Sequence, residues 1–380
     1  MRNLSQSLLL QGNEIKILAL NTLKHFVNTE SLPGYFKTDF HLEAITIDTS
    51  VKSIPAFVNL FSDQSYNISR FYSSAFEKRL TEILKTNKYD VVLAESLFMF
   101  PYLEAIRKNS SAKIVLRAHN VEHIIWERLC DSETNPLKKW YLKTLTKKLK
   151  KYEVTHLNKP DAILAITKED QQIFNLLGCT IPIHVTPLGI DLKDYQPSEE
   201  NKSEWCLFHL GSMDWLPNLE AVKWFLENCW NAIHNEFSGL KLFLAGRGFP
   251  KSLMENNFPN VICEGEIADS NKYMHDKQIM IVPLLSGSGM RVKIIQGMAL
   301  EKTIISTSIG AEGIQFTNGE NILIANTPLE FLAAVKKCLA DKNYAKQIGE
   351  NGRKLVAEKY SNEAIGKSVT SFLSQLNNQK

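Results

Sequence analysis

Arg291 and Lys293 stand where positive side chains are least at home. They open a helical stretch in SGSGMRVKIIQGMA, residues 286–299, directly after the apolar run IMIVPLL. A helix N-terminus already carries partial positive charge, so two further cations there call for an anion. Gly287 and Gly289 let the backbone approach a ligand and turn its N–H groups outward. The helix adds N–H groups that have no intrahelical partner. Together these groups fit a phosphate or diphosphate. The dipole supplies only about 0.3–1 kcal/mol at an exposed site, so the side-chain charges must carry most of the compensation. The plainer reading is a flexible glycine loop with two solvated basic residues, because isolated glycine motifs are weak signals.

Other candidates follow apolar, β-branched runs, where open α/β sheets bind their ligands. His119 and Asn120 come after KIVLRA, Gly211 to Asp214 after WCLFHL, Arg247 after LKLFLAG, and Ser308 to Glu312 after TIISTS. Arg247 could converge on the same anion. His119 could hydrogen-bond a sugar hydroxyl or share a proton, or be a histidine satisfied by nearby backbone. Glu312 could accept from ribose or sugar hydroxyls, or cap a helix. His123 is expected to face away as a structural residue. Glu122 and Arg128 could form a surface pair of little weight. The chain contains no D-x-D, G-x-x-x-x-G-K-[ST], H-E-x-x-H or G-x-S-x-G, so P-loop, zinc-protease and α/β-hydrolase chemistry lose support, as does metal-held phosphate.

These residues must be positioned by an α/β framework. Eleven short runs read as strands: 14–20, 90–95, 113–118, 162–167, 183–188, 205–210, 240–246, 261–265, 279–284, 303–308 and 321–325. Their nearly continuous apolar character marks strands buried on both faces, as in parallel sheets. Amphipathic stretches lie between them. In 217–233, behind Pro217, the residues Leu219, Val222, Leu226, Cys229 and Ile233 recur at helical spacing. The alternation predicts a doubly wound α/β fold, twice over. Pro, Gly and charged residues cluster at 187–205, which reads as a linker. The first residues read as a helix with Leu4, Leu8 and Leu9 inward. A doubly wound domain normally opens with a strand, so its first strand is expected to be missing before Met1.

The helix over 137–157 is strongly basic, with Leu137, Tyr141, Leu145, Leu149 and Tyr152 as its apolar stripe. It reads as a solvated face, with contact to an anionic membrane surface as the alternative. A net charge of +3 over 380 residues does not point to nucleic acid. Six scattered cysteines without a C-x-x-C pair argue against zinc and disulfides and suit a reducing cytoplasm. No signal peptide or membrane-spanning run is evident.

With those residues in place, the chain resembles retaining glycosyltransferases of the GT-B fold, family 4, over nearly its whole length. The most specific part is PLLSGSGMRVKIIQGMALEKTIISTSIGAEGI, residues 283–314, which is similar to that family's donor-binding region. LRAHNVEH resembles its N-domain histidine segment, VTPLGIDLKDYQP its hinge, and LGSMDWLPNLEAVKWF the start of its C-domain. The resemblance implies an acceptor-binding domain over 1–188, a nucleotide-sugar domain over 189–360, and a helix over 361–380 that crosses back. It implies transfer from a nucleoside diphosphate sugar with no metal or other cofactor. Arg291, Lys293 and the amides of Gly287, Ser288, Gly289 and Met290 would stabilise the departing diphosphate. Gly211, Arg247 and Glu312 would join the donor site, and His119 would act near the anomeric centre. The acceptor would be a glycan or lipid-linked molecule, in a cytoplasmic enzyme with possible contact to the inner membrane face. A non-catalytic nucleotide-sugar binder and a sugar-nucleotide epimerase are the rival expectations.

The chain departs from the family pattern at several positions. Its Glu-x7-Glu pair falls on Ser288 and Gln296, so a neutral carbonyl would meet the ribose. Glu301 stands where a small residue, usually Gly, is expected. GSMDWLPN lacks the Arg and Lys that many relatives aim at the diphosphate, and the family's first strand and glycine-rich acceptor loop are the pieces expected to be missing before Met1.

Overall fold

The computed structural model describes residues 2–52, 58–197, 204–255, 257–287 and 289–378. Ser288, one of the expected donor-binding residues, lies outside them. The chain divides into two compact units, one of Met1–Pro187 with Gly366–Lys380, the other of Leu188–Ile365.

The second unit is built on one parallel sheet. Its strands are β7 (Cys206–Leu210), β8 (Lys241–Ala245), β9 (Val261–Gly265), β10 (Ile279–Val282), β11 (Thr303–Ser306) and β12 (Leu323–Ile324). Their spatial order is β12-β11-β10-β7-β8-β9. The order of strands therefore reverses between β7 and β10, the point where doubly wound sheets open a crevice beyond their carboxyl ends. The central strands are apolar throughout because helices cover both faces: all of β10 and β11 is buried. The Leu216–Phe225 helix continues through a π-turn, Leu226–Trp230, into Asn231–Glu236. Val222, Phe225, Leu226, Cys229, Trp230 and Ile233 fill the core from this side. The Trp230 indole N–H donates to Pro259 O at 2.8 Å, so the largest core side chain buries no unmet donor.

The first unit carries two parallel sheets. One pairs β1 (Leu18–Thr22) with β2 (Glu43–Ile47), and the other has the order β3-β4-β5-β6 over Val91–Glu95, Lys113–Ala118, Ala162–Ala165 and Ile183–Val185. The strand β2 has no counterpart among the runs predicted from sequence. Its residues are half-buried or exposed, so EAITI forms no apolar run. The strand is held by five-residue pairing with β1, and Arg79, on the Ser74–Thr86 helix, grips its Glu43 carboxylate at 2.6 and 2.9 Å. Lys16 bonds the same group. These two cations hold the Glu43 pKa down at about 2. The core gathers Ile114, Leu116, Leu149, Ile163 and Phe174.

Two helical expectations need correction. In the Arg2–Leu9 helix, Leu4 is buried, but Ser5 and Ser7 are buried too, ahead of Leu8 and Leu9. The reason is a close backbone contact: a Cβ on Gly366 would lie 2.1 Å from Ser7 O. In the Pro136–His156 helix the buried row runs Leu142, Leu145, Thr146, Leu149 and Glu153, while Leu137 is 81% exposed. The whole first turn from Pro136 to Trp140 is exposed, so the stripe begins a turn later than its sequence pattern suggests. Among the described residues, no helix is long and apolar enough to cross a membrane.

Candidate donor pocket and histidine cluster

At the strand-order reversal of the second unit lies a pocket of about 460 Å³. The loop after β7 supplies Gly211, Ser212 and Trp215, and the segment after β10 supplies Met290, Arg291, Lys293 and Gln296. Gly246, after β8, completes this floor. Glycine is required there: Gly246 has φ +141°, and a Cβ on it would lie 2.0 Å from Gly211 O. Gly287, with φ +110°, is confined in the same way by Trp215 and Arg291, each 2.9 Å from a Cβ placed there.

Arg291 is the N-cap of the Val292–Ala299 helix, which has no side-chain cap and no acidic residue in its first turn. The guanidinium is buried, bonds Gly289 O, and lies 5.1 Å from the centroid of the Trp215 ring. Such a cation–π contact favours a charge with limited hydration. Lys293 donates to Asn218 Oδ1 at 3.0 Å, and Asn218 Nδ2 donates to Ser212 O at 2.8 Å. One buried asparagine thus ties the β7 loop to the cation. Desolvation first, then the Arg291 charge, lowers the Lys293 pKa to about 7. Behind it, His209 is fully buried and donates from Nδ1 to Ile281 O at 3.0 Å. Burial, then Lys293, keeps the His209 pKa well below its usual value. The pocket therefore offers helix N–H groups and two cations, with neutral acceptors beside Lys293, an arrangement suited to a dianion.

The remaining donor-side candidates fall elsewhere. Arg247 is exposed and donates to Asp214 Oδ2 at 2.8 Å, so its charge is spent on a carboxylate and it does not line the pocket. Glu312 lies in the turn after β11, its N–H bonded to Ile309 O, also away from the lining residues. Glu301, where a small residue was expected, sits in a turn with φ +57°. An L-residue is rarely held in that left-handed conformation.

In the first unit, His119 follows β4 as the sequence places it, and it has a partner that sequence reasoning missed. Glu95, the last residue of β3, lies 2.8 Å from His119 Nε2 and 3.2 Å from Arg117 Nη1. Burial would raise this carboxyl, but the His119 bond and the Arg117 charge outweigh it and hold its pKa at about 2. The next residue, Ser96, has φ 107° and ψ 161°, a region nearly reserved for glycine. Strain of this kind, roughly 1–3 kcal/mol, sits beside the histidine. Glu95 was identifiable from its place at a strand end, the same signal that picked out His119.

His123 is buried and bonds Glu153 at 2.6 Å. Glu122 is buried rather than part of a surface pair with Arg128: six residues apart on a helix, the two side chains point to different faces. Burial, then the Glu153 charge, pushes the Glu122 pKa up to about 7. Among the described residues, no group of three His, Cys, Asp or Glu side chains is placed to hold a metal ion.

This architecture is that of GT-B glycosyltransferases. Sucrose-phosphate synthase from Thermosynechococcus elongatus matches with a TM-score of 0.67 and 15% identity, over 99% of this chain and 92% of that one. HepE from Anabaena, solved with UDP and glucose, matches with a TM-score of 0.61 and 12% identity, over 93% and 91%. A Klebsiella pneumoniae protein, described as an uncharacterized 44.6 kDa protein in a cps region, is 26% identical over 305 residues, 77% of this chain and 76% of that one. The family model described as Glycosyltransferase Family 4 matches residues 1–194, and the one described as Glycosyl transferases group 1 matches 205–341. The chain belongs to Glycosyltransferase Family 4.

Proposed function

We propose that the protein is a retaining, metal-independent glycosyltransferase of the hexosyltransferase type. It moves a sugar from a nucleoside diphosphate sugar to a glycan or lipid-linked acceptor in building a cell-surface polysaccharide or glycolipid. The observation that carries this reading is the pocket beyond β7 and β10, where Arg291, Lys293 and an uncapped helix N-terminus converge. As the bond from the sugar to the diphosphate breaks, negative charge grows on the leaving oxygen. Fixed donors and cations aimed at that charge lower the barrier without a metal ion. His119, oriented by Glu95, would contact the transferred sugar or the acceptor, with the first unit as the acceptor half. The UDP and glucose bound to HepE support a nucleotide-sugar donor, and the cps region of the Klebsiella relative supports the polysaccharide reading. The enzyme would work in the cytoplasm, with the exposed Leu137 and Trp140 touching the inner membrane face.

Calorimetric titration with UDP and GDP tests the pocket. Arg291→Ala and Lys293→Ala should each weaken binding by about 10- to 100-fold, the range for a lost charge-assisted hydrogen bond. Unchanged affinity in both variants would remove the phosphate site. The neutral Gln296 favours one rival, a nucleotide-sugar binder without catalysis. Binding without transfer across a broad acceptor panel would decide for it.

A further inference from the structure

The loop after β7 meets two arginines and treats them differently. Its residues 211–218 read GSMDWLPN, with no lysine or arginine among them. Asp214 accepts from Arg247 at 2.8 Å, so that cation is set against a carboxylate. Trp215, the next residue, takes Arg291 instead: the guanidinium carbon lies over its ring, 5.1 Å from the centroid. Residue 287 makes room for the pair by having no side chain. A Cβ on Gly287 would lie 2.9 Å from the indole and 2.9 Å from Arg291 Nη2. Arg291 Nη1 also donates to Gly289 O. Arg291 is buried, whereas Trp215 is 38% exposed.

We infer that Trp215 is a positioning residue for Arg291, holding the guanidinium at the pocket without adding a negative charge that would compete with a diphosphate. The inference rests on the nucleotide-sugar reading above. An arginine on its flexible stem must give up rotamer freedom before it can grip a ligand, and a fixed one binds more tightly for that reason. A carboxylate would fix the side chain but cancel its charge, as Asp214 does for Arg247. An indole face attracts a cation through its quadrupole and carries no net charge. That attraction strengthens as water is excluded, and Arg291 is buried. The loop thus contributes to anion binding through a neutral ring rather than through a cation of its own.

Calorimetric titration with UDP and with inorganic pyrophosphate tests this role. Both probes carry a diphosphate, and pyrophosphate has no base or ribose on which a ring could stack. Trp215→Leu and Trp215→Met, which lack an aromatic face, should weaken both probes by a common factor of about 5- to 10-fold. Trp215→Phe, which keeps a face, should stay within about 3-fold of the wild type. In an Arg291→Ala background, Trp215→Leu should change either affinity by less than about 2-fold. The inference is overturned if both apolar variants bind like the wild type, or if the loss persists in full without Arg291. It is overturned equally if UDP binding alone falls, which would set the ring against the base or ribose. A wild type that binds neither probe overturns the nucleotide reading and this inference together. Tight UDP binding that Trp215→Leu leaves unchanged overturns this inference alone.

Discussion

The Lys293 ammonium bonds a neutral asparagine oxygen, with the Arg291 cation as its charged neighbour. Its pKa of about 7 means that it is charged below neutral pH and increasingly neutral above it. A bound diphosphate would restore the charge, so binding should take up a proton between about pH 7 and 9. Titrations at pH 8 in Hepes and in Tris, whose ionisation heats differ, should give different apparent enthalpies. Affinity should fall toward pH 9, and Lys293→Arg should flatten that fall. Equal heats in the two buffers would contradict the prediction. Glu122 titrates in the same range with the opposite consequence for stability. Its folded pKa of about 7 exceeds the ordinary carboxyl value, so the folded state holds a proton that the unfolded chain releases. The cost of ionising it in place grows as pH climbs from about 4.5 to 7 and is fully present above that. Glu122→Gln should therefore raise Tm by about 2–4 °C at pH 8 and leave it unchanged near pH 4.5, by calorimetry.

At the scale of elements, the Pro136–His156 helix leaves Leu137 81% and Trp140 61% exposed, with Lys143 and Lys147 exposed further along. A tryptophan among lysines suits the boundary between headgroups and acyl chains. The protein should sediment with vesicles containing phosphatidylglycerol and much less with pure phosphatidylcholine. Replacing Lys143 and Lys147 by Gln should weaken that binding by about 10- to 30-fold. Equal recovery with both vesicle types would refute the electrostatic part. The same helix shows how far sequence reasoning reaches. Its period was plain, but where its buried stripe begins depended on which segments pack against it, which is a tertiary fact. Strands such as Ile279–Val282 announced themselves because burial on both faces leaves an unbroken apolar run. The Glu43–Ile47 strand did not, because burial there is partial and leaves no unbroken apolar run. Arg291 and Lys293 were visible because they sit beside their glycines. Asn218 was not, because it reaches Lys293 across 75 residues of chain.

For the whole molecule, the division of labour can be measured. No pocket-lining residue belongs to the first unit, so His119→Ala and Glu95→Gln should leave the Kd for UDP or GDP within about twofold while lowering transfer to acceptor by about 100-fold or more. A matching loss of nucleotide affinity would assign His119 to the donor instead. Structures only 12–15% identical to this chain keep the same architecture, so the fold tolerates near-complete replacement of its residues. The pocket in the second unit adds something to that tolerance. Every side chain lining it falls between Leu210 and Gln296, one uninterrupted stretch of coding sequence. Recombination between related loci can thus carry the proposed grip on a leaving group across as a single inherited piece. On the proposed division of roles, the other half would then be open to selection for a new sugar recipient.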